Sequence, residues 1–432
     1  MKVNVIGAGL AGCEAAWRLA NSGYQVDLYE MKPVKYTPAH HYQGFAELVC
    51  SNSLKASRIE SAAGMLKEEM RLLGSIVMEA AAATSVEAGG ALAVNRTEFS
   101  DYITEKINSH PNINVVCGEV TDFPEENTII ATGPLTSDAF ADVIYTKLGK
   151  ALSFYDAAAP IVTAESIDMT KAFYASRYDR GDADYINCPF TKEEYEAFYN
   201  ALVTAETAPL KEFEDLTVYE GCMPVEVLAK RGIESVRYGC MKPVGLTDPR
   251  TDRRPYAAVQ LRKENKEGTL YNIVGFQTNL KFGEQKRVFR MIPGLEQAEF
   301  MRYGVMHRNT FLNSPQLLTE QFMLRDSKNV FFAGQMTGVE GYTESAYSGI
   351  LAAMHLIRNL EGKSVLSLPL TSMGGALSRH ISTETKNFQP MGANMGILPE
   401  IGERIKDKQA KYAKIAERGL NDFKSVMADE LR

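Results

Sequence analysis

An apolar run begins at the third residue, Val3-Asn4-Val5-Ile6, and breaks into the small-residue turn Gly7-Ala8-Gly9-Leu10-Ala11-Gly12. This pattern predicts a buried parallel strand, a tight turn and an amphipathic helix. A second strand, Gln25 to Tyr29, ends at Glu30. Helical periodicity recurs from Ser57 to Leu73, and short apolar runs at Val115-Val116 and Thr128-Ile129-Ile130 predict further strands, the last entering Ala131-Thr132-Gly133-Pro134. From about Ser153 the texture changes. Aromatic residues cluster (Phe173, Tyr174, Tyr178, Tyr185, Phe190, Tyr195), charges intersperse, and the strand–helix alternation stops. It resumes with the apolar strand Val330-Phe331-Phe332 entering Ala333-Gly334, followed by a helix from about Ser345 to Leu360. A charged helix is expected from Ile401 to Arg432.

The first turn carries chemistry of its own. Gly7 makes the tight turn, Gly9 lets a pyrophosphate approach the backbone, and Gly12 lets the helix pack closely on the strand, with Ala8, Leu10 and Ala11 between them. The N–H groups of that helix N-terminus face the phosphates. Glu30 stands about 18 residues beyond Gly12, close to the roughly 20 expected of an acid that binds ribose hydroxyls. NAD and FAD both fit so far. The distal stretch separates them, because a late strand ending in Gly-Gln brings backbone N–H groups and a second helix N-terminus back to the cofactor, as in two-dinucleotide-type flavoproteins. FAD is therefore the expected cofactor. Gly334, Gln335, Gly338, Gly341, Tyr342 and the helix beyond Glu344 are expected at its isoalloxazine end, Glu30 at its adenosine ribose, and Thr132 and Gly133 beneath it. The predicted fold is α/β: a discontinuous Rossmann-like domain, 1–152 and 306–432, interrupted by an α+β domain at 153–305.

Composition narrows the class. A chain of 432 residues with 45% apolar content buries a large core and divides into more than one domain. No apolar segment reads as a signal or a membrane span, since the blandest stretch, Ala80 to Ala93, contains Glu87 and two glycines. The six cysteines show no CxxC pairing, which argues against a disulfide framework or a metal site and fits a reducing cytoplasm. A net charge of −7 excludes a general polyanion binder but leaves room for one basic face.

The distal segment Gly334-Gln335-Met336-Thr337-Gly338-Val339-Glu340-Gly341-Tyr342-Thr343-Glu344-Ser345 resembles the flavin-binding return of the GidA-like tRNA-modifying flavoproteins. Within that group the chain is similar to the folate- and FAD-dependent tRNA (uracil-5-)-methyltransferases. The similarity runs through Glu47-Leu48-Val49-Cys50-Ser51-Asn52-Ser53, Tyr219-Glu220-Gly221-Cys222-Met223-Pro224, Met241-Lys242-Pro243-Val244-Gly245-Leu246 and Val305-Met306-His307-Arg308-Asn309-Thr310. It covers essentially the whole chain. It implies formation of 5-methyluridine at T-loop uridine 54 of tRNA, with 5,10-methylenetetrahydrofolate giving the carbon and NAD(P)H giving electrons by way of FAD.

That reaction needs a cysteine. Uracil C5 is a poor nucleophile until a thiolate adds to C6. Cys13, behind the phosphate turn, and Cys117, beside a strand, read as core, and Cys188 and Cys240 have no evident activating partner. Cys50 and Cys222 occupy small, polar, turn-like stretches where a thiolate can be exposed. With the resemblance, Cys222 is assigned as the nucleophile and Cys50 as the second thiol. His307 is the candidate to stack on the pterin, with Asn309, Arg287 and Glu344 as further folate or substrate contacts, although Arg287 equally suits an ordinary solvated face. Arg253, Arg254 and Arg262, near Tyr256, are candidates for tRNA phosphates. The competing readings are a wobble-uridine flavoenzyme of the same group, an FAD/NAD(P)H oxidoreductase with a small substrate, and a flavin-bearing RNA-binding module. For the oxidoreductase the chain lacks a second strand-GxGxxG-helix to hold a nicotinamide.

Overall fold

The computed structural model describes residues 1–432 except 126, 150, 151, 158, 180, 181, 209–222, 266, 305, 328, 329, 386, 387 and 429–432, and excludes the side chains of 152–157, 179 and 306–310. Five parallel strands form the first sheet, in the order Val330–Phe332, Thr128–Ile130, Lys2–Ile6, Gln25–Glu30, Ile113–Cys117. The late strand thus pairs directly with Thr128–Ile130, Val330 opposite Thr128 and Phe332 opposite Ile130. This is why both glycine turns open at the same edge. Parallel strands buried on both faces are near-continuously apolar: Val3, Val5, Ile129, Ile130 and Phe332 are fully buried.

The helix Leu10–Asn21 leaves the first turn and packs against Tyr342–Leu360, which leaves the second. Contact is backbone-close: a Cβ built on Gly349 would lie 2.1 Å from the Ala11 carbonyl oxygen. One apolar cluster joins this layer to the helices Ala62–Leu72, Met373–Ser382 and Lys408–Val426. A second cluster, from Val162 to Ala298, is the core of a six-stranded sheet whose identified pairings are all antiparallel. Between the two sheets, Leu152–Ala157 pairs antiparallel with Met306–Phe311, forming the ribbon by which the chain leaves the first unit and re-enters it.

Several boundaries differ from expectation. The helix predicted over Ser57–Leu73 starts at Ala62, where the Ser61 side chain accepts the Gly64 N–H as N-cap. The distal helix begins at Tyr342 rather than Ser345, its N-cap being Gly341. The C-terminal helix starts only at Lys408, capped by Asp407. No helix among the described residues is long and apolar enough to cross a membrane.

Candidate active site

At the carboxyl edge of the parallel sheet a cleft encloses about 1360 Å³, its open mouth included. Gly7 to Ala11 form its floor, Glu30 and Lys32 one end, and Ala131 to Ser137 a wall; Gly334, Gln335, Tyr342 and Ser345 close it. A Cβ built on Gly9 would meet nothing within 4 Å, so the turn leaves open space at its tip. No side chain caps the helix behind it and no acidic residue sits in its first turn. Open backbone and a bare helix N-terminus suit a pyrophosphate. The Glu30 carboxylate is fixed in place by the N–H groups of Ala8 and Lys32, each at 2.9 Å, and each oxygen retains capacity for a ribose hydroxyl. The residues present therefore fit FAD.

Cys50 lines the same cleft, half-buried. Its turn is held from three directions. Arg96 donates to the carbonyls of Leu48 (2.7 Å) and Val49 (2.9 Å) while ion-paired with Glu264. Arg262, on the strand Ala257–Lys263 of the second sheet, donates to Ser51 Oγ at 2.9 Å and Asn52 Oδ1 at 3.1 Å. From the distal helix, Tyr342 brings its Oη to the N–H of Cys50 (2.8 Å), the N–H of Ser51 (3.2 Å) and Cys50 Sγ (3.0 Å). Burial, then the neighbouring Cys50, hold the Tyr342 phenol well above its ordinary pKa, so it stays protonated.

A thiol and a dinucleotide cradle thus share one cleft. The family model for glucose inhibited division protein A, GidA, matches residues 2–364. The chain is 58% identical over 431 residues to the methylenetetrahydrofolate--tRNA-(uracil-5-)-methyltransferase TrmFO of Listeria monocytogenes serovar 1/2a, covering 99% of each chain. It is 56% identical over 426 residues to the protein of the same name from Bacillus pumilus, covering 98% of each. The chain belongs to the TrmFO branch of the GidA family. Its fold is that of Aquifex aeolicus GidA, with a TM-score of 0.70 at 15% identity over 99% of this chain and 78% of that one.

Set against this membership, the expected residues divide. Gly7, Ala8, Gly9, Leu10, Ala11, Glu30, Thr132, Gly133, Gln335, Gly334, Tyr342 and Cys50 all line the cleft. Gly12 instead serves packing, since a Cβ there would lie 1.7 Å from the Gly7 carbonyl oxygen. Gly341 and Glu344, expected at the cofactor and substrate, are not among the residues lining the cleft. Glu344 is 1% exposed; its carboxylate accepts from Lys55 Nζ, the Ala393 N–H and the Thr343 hydroxyl, and a Cβ on Gly341 would strike it. Gly338 likewise makes room for the Phe388 ring.

Arg262, expected at tRNA phosphates, is 6% exposed and bonded to the Ser51–Asn52 turn. Arg253 and Arg254 are exposed in the loop before that strand. Arg287 is exposed and paired with Glu284, outside the cleft lining. Cys222 lies outside the described residues; for His307 and Asn309 the structure describes only their place on the ribbon strand. Among the other cysteines, burial pushes the thiols of Cys13 and Cys188 far up, and that of Cys240 up to about 12, as expected of inert thiols. Cys117, expected in the core, is exposed at the end of its edge strand.

Sequence reasoning missed the 31–47 loop, which brings Lys32, Thr37, His40 and Glu47 to the cleft, and it missed Arg96 and Arg302. The loop has no periodicity, and its partners are remote in sequence. Only the Glu-Leu-Val-Cys-Ser-Asn-Ser run beside it was a signal.

Proposed function

We propose that this protein methylates C5 of uridine 54 in the tRNA T-loop, with 5,10-methylenetetrahydrofolate as carbon donor and NAD(P)H as reductant, acting in the cytoplasm. The observation that carries this reading is the sharing of one cleft by the dinucleotide cradle and Cys50, which among the described cysteines is the one that lines it. FAD bound on Gly7 to Ala11 and Gly334 would supply the redox chemistry that a folate methylene needs to become a methyl group.

The protein's own groups do the rest. The thiolate of Cys222 adds to uracil C6, forming an S–C6 bond and moving the C5=C6 pair onto C5, which becomes nucleophilic. Once C5 carries its new carbon, Cys50 takes the C5 proton; the freed pair restores C5=C6 and expels the Cys222 thiolate. Arg96 and Arg262 hold the Cys50 turn against the second sheet, which keeps Sγ aimed into the cleft. Arg253 and Arg254 meet tRNA phosphates, and His307 with Asn309 contacts the folate. T-loop uridine is tucked into the tRNA elbow, so the base is extruded to reach the cleft.

The test is direct. Purified protein with FAD, NADPH, labelled methylenetetrahydrofolate and unmodified tRNA is expected to place label in 5-methyluridine on nucleoside analysis. Label in a wobble nucleoside would move the chain to the other reaction of its group, and no label in tRNA would overturn the proposal.

A further inference from the structure

We propose that Tyr342 is a positioning residue that holds Cys50 in its thiolate form. The argument is one of hydrogen-bond capacity. Tyr342 Oη accepts the N–H of Cys50 at 2.8 Å and the N–H of Ser51 at 3.2 Å. Both donors are backbone amides and cannot reverse their role. A phenolic oxygen with its acceptor positions so occupied has only its own proton left to offer, and among the described residues the remaining neighbour within reach is Cys50 Sγ at 3.0 Å. The O–H therefore points at sulfur. A thiolate accepts that bond; a thiol S–H finds no lone pair on Oη to receive its proton. The geometry favours the anion by giving it a donor.

The surroundings act in the same sense. On the helix Arg96–Ser109, Arg96 lies within electrostatic reach of Tyr342. The edge strand Phe300–Arg302 presents Arg302, whose Nη2 is buried with no hydrogen-bond partner among the described residues. From the central strand of that sheet Arg262 reaches Ser51. The opposing acids are already engaged, Glu264 with Arg96 and Glu47 with Lys32. His40, across the cleft, is held below its ordinary pKa by burial and stays neutral near pH 7. Among the described residues, the guanidiniums of Arg262 and Arg302 stand beside the Arg96–Glu264 pair, a local field that suits a thiolate.

The inference rests on reading Cys50 as a reacting thiol. In that reaction Sγ gains the uracil C5 proton, the C–H pair stays on the pyrimidine, and the resulting thiol, lacking an acceptor at Tyr342, gives its proton to water. The phenol keeps its own proton throughout.

Cys117, exposed on the far edge strand, is an internal standard for the test. FAD-loaded protein is alkylated with iodoacetamide across a pH series, and Cys50 and Cys117 are quantified separately by peptide mass spectrometry. In the wild type Cys50 is expected to level off at lower pH than Cys117. Tyr342→Phe is expected to move the Cys50 midpoint up by about one pKa unit and to lower its rate about tenfold at pH values well below the wild-type midpoint, while Cys117 is unmoved. An unchanged Cys50 midpoint in Tyr342→Phe would overturn the proposal. Should that variant not fold, the wild type decides: the thiolate ultraviolet absorbance lost in Cys50→Ser must titrate below the ordinary thiol value of about 8.5, and a midpoint at or above it refutes the assignment. Protein that fails the folate and tRNA assay yet titrates as expected loses the proposed function and keeps this role for Tyr342; the converse result separates them the other way.

Discussion

Lys55 and Glu344 meet in a 2.7 Å ion pair that joins the short strand Ser53–Ala56, just after Cys50, to the first turn of the distal helix. The two ends differ in exposure, the lysine side chain 47% exposed and the glutamate fully buried. Their removal should therefore differ in cost. Glu344→Ala strands the Ala393 N–H, the Thr343 hydroxyl and the lysine, and is expected to cost about 3 kcal/mol. Lys55→Met leaves Glu344 with its other donors, and about 1 kcal/mol is expected. Urea unfolding of both variants measures the difference. Equal losses would mean that the pair, rather than the buried carboxylate, ties the segments together.

The two glycines of the first turn make a sharper pair. A methyl on Gly9 touches no protein atom, so Gly9→Ala should unfold within about 0.5 kcal/mol of the parent and yet bind FAD far more weakly, because that methyl occupies the phosphate approach. A methyl on Gly12 collides with the Gly7 carbonyl, and Gly12→Ala should lose about 3 kcal/mol of stability whether or not flavin is present. Thermal unfolding of the apo proteins with flavin titration checks both. A destabilised Gly9→Ala would show that the turn is shaped for packing alone.

What could be read in advance follows the range of the interactions. Gly7 to Gly12, Glu30 and Gly334 were legible because the chemistry of a dinucleotide turn is local: strand, glycines and helix lie within one short run. The five-stranded sheet was foreseeable for the same reason, its strands being apolar runs that end in turns. The burial of Arg262 was not legible because it depends on pairing in the second sheet and on a turn some 210 residues away, with Asn52, which no local pattern records. The ion pair of Glu344 was not legible because its partners Lys55 and Ala393 lie on either side of it, far along the chain. Cys50 was found through its polar run; that Tyr342 governs its proton depends on a contact across 292 residues.

His355 gives the fold a specific acid sensitivity. It lies 6% exposed in the distal helix, and burial, with Arg358 nearby, lowers its pKa from 6.5 to about 4. Between those values the unfolded chain binds the proton and the folded one does not, so stability is present above pH 6.5 and is lost as pH falls toward 4. From pH 7 to pH 5 the loss amounts to about 2 kcal/mol. Glu14 and Glu69, also buried and raised to about 7, run in the opposite sense, their stability falling as pH rises from 4.5 through 7. The difference between wild type and His355→Gln isolates the histidine, because the carboxyl contributions cancel. Denaturant unfolding at the two pH values should show a gap that narrows by about 2 kcal/mol at pH 5; a constant gap would refute a neutral, buried imidazole.

The arginines separate a surface role from an internal one by salt. Exposed Arg253 and Arg254, if they meet phosphates, each release counterions, so Arg253→Gln and Arg254→Gln should weaken tRNA binding and each flatten the salt slope by about 1. Arg262 is buried on Ser51 and Asn52, and its loss leaves the slope unchanged. Arg262→Met should instead loosen the Cys50 turn, lowering turnover at saturating tRNA with little change in tRNA affinity. Filter binding across a salt series, run beside the methylation assay, distinguishes the cases. A reduced slope for Arg262→Met would return that residue to the RNA surface and would require the turn that carries Cys50 to open when tRNA binds.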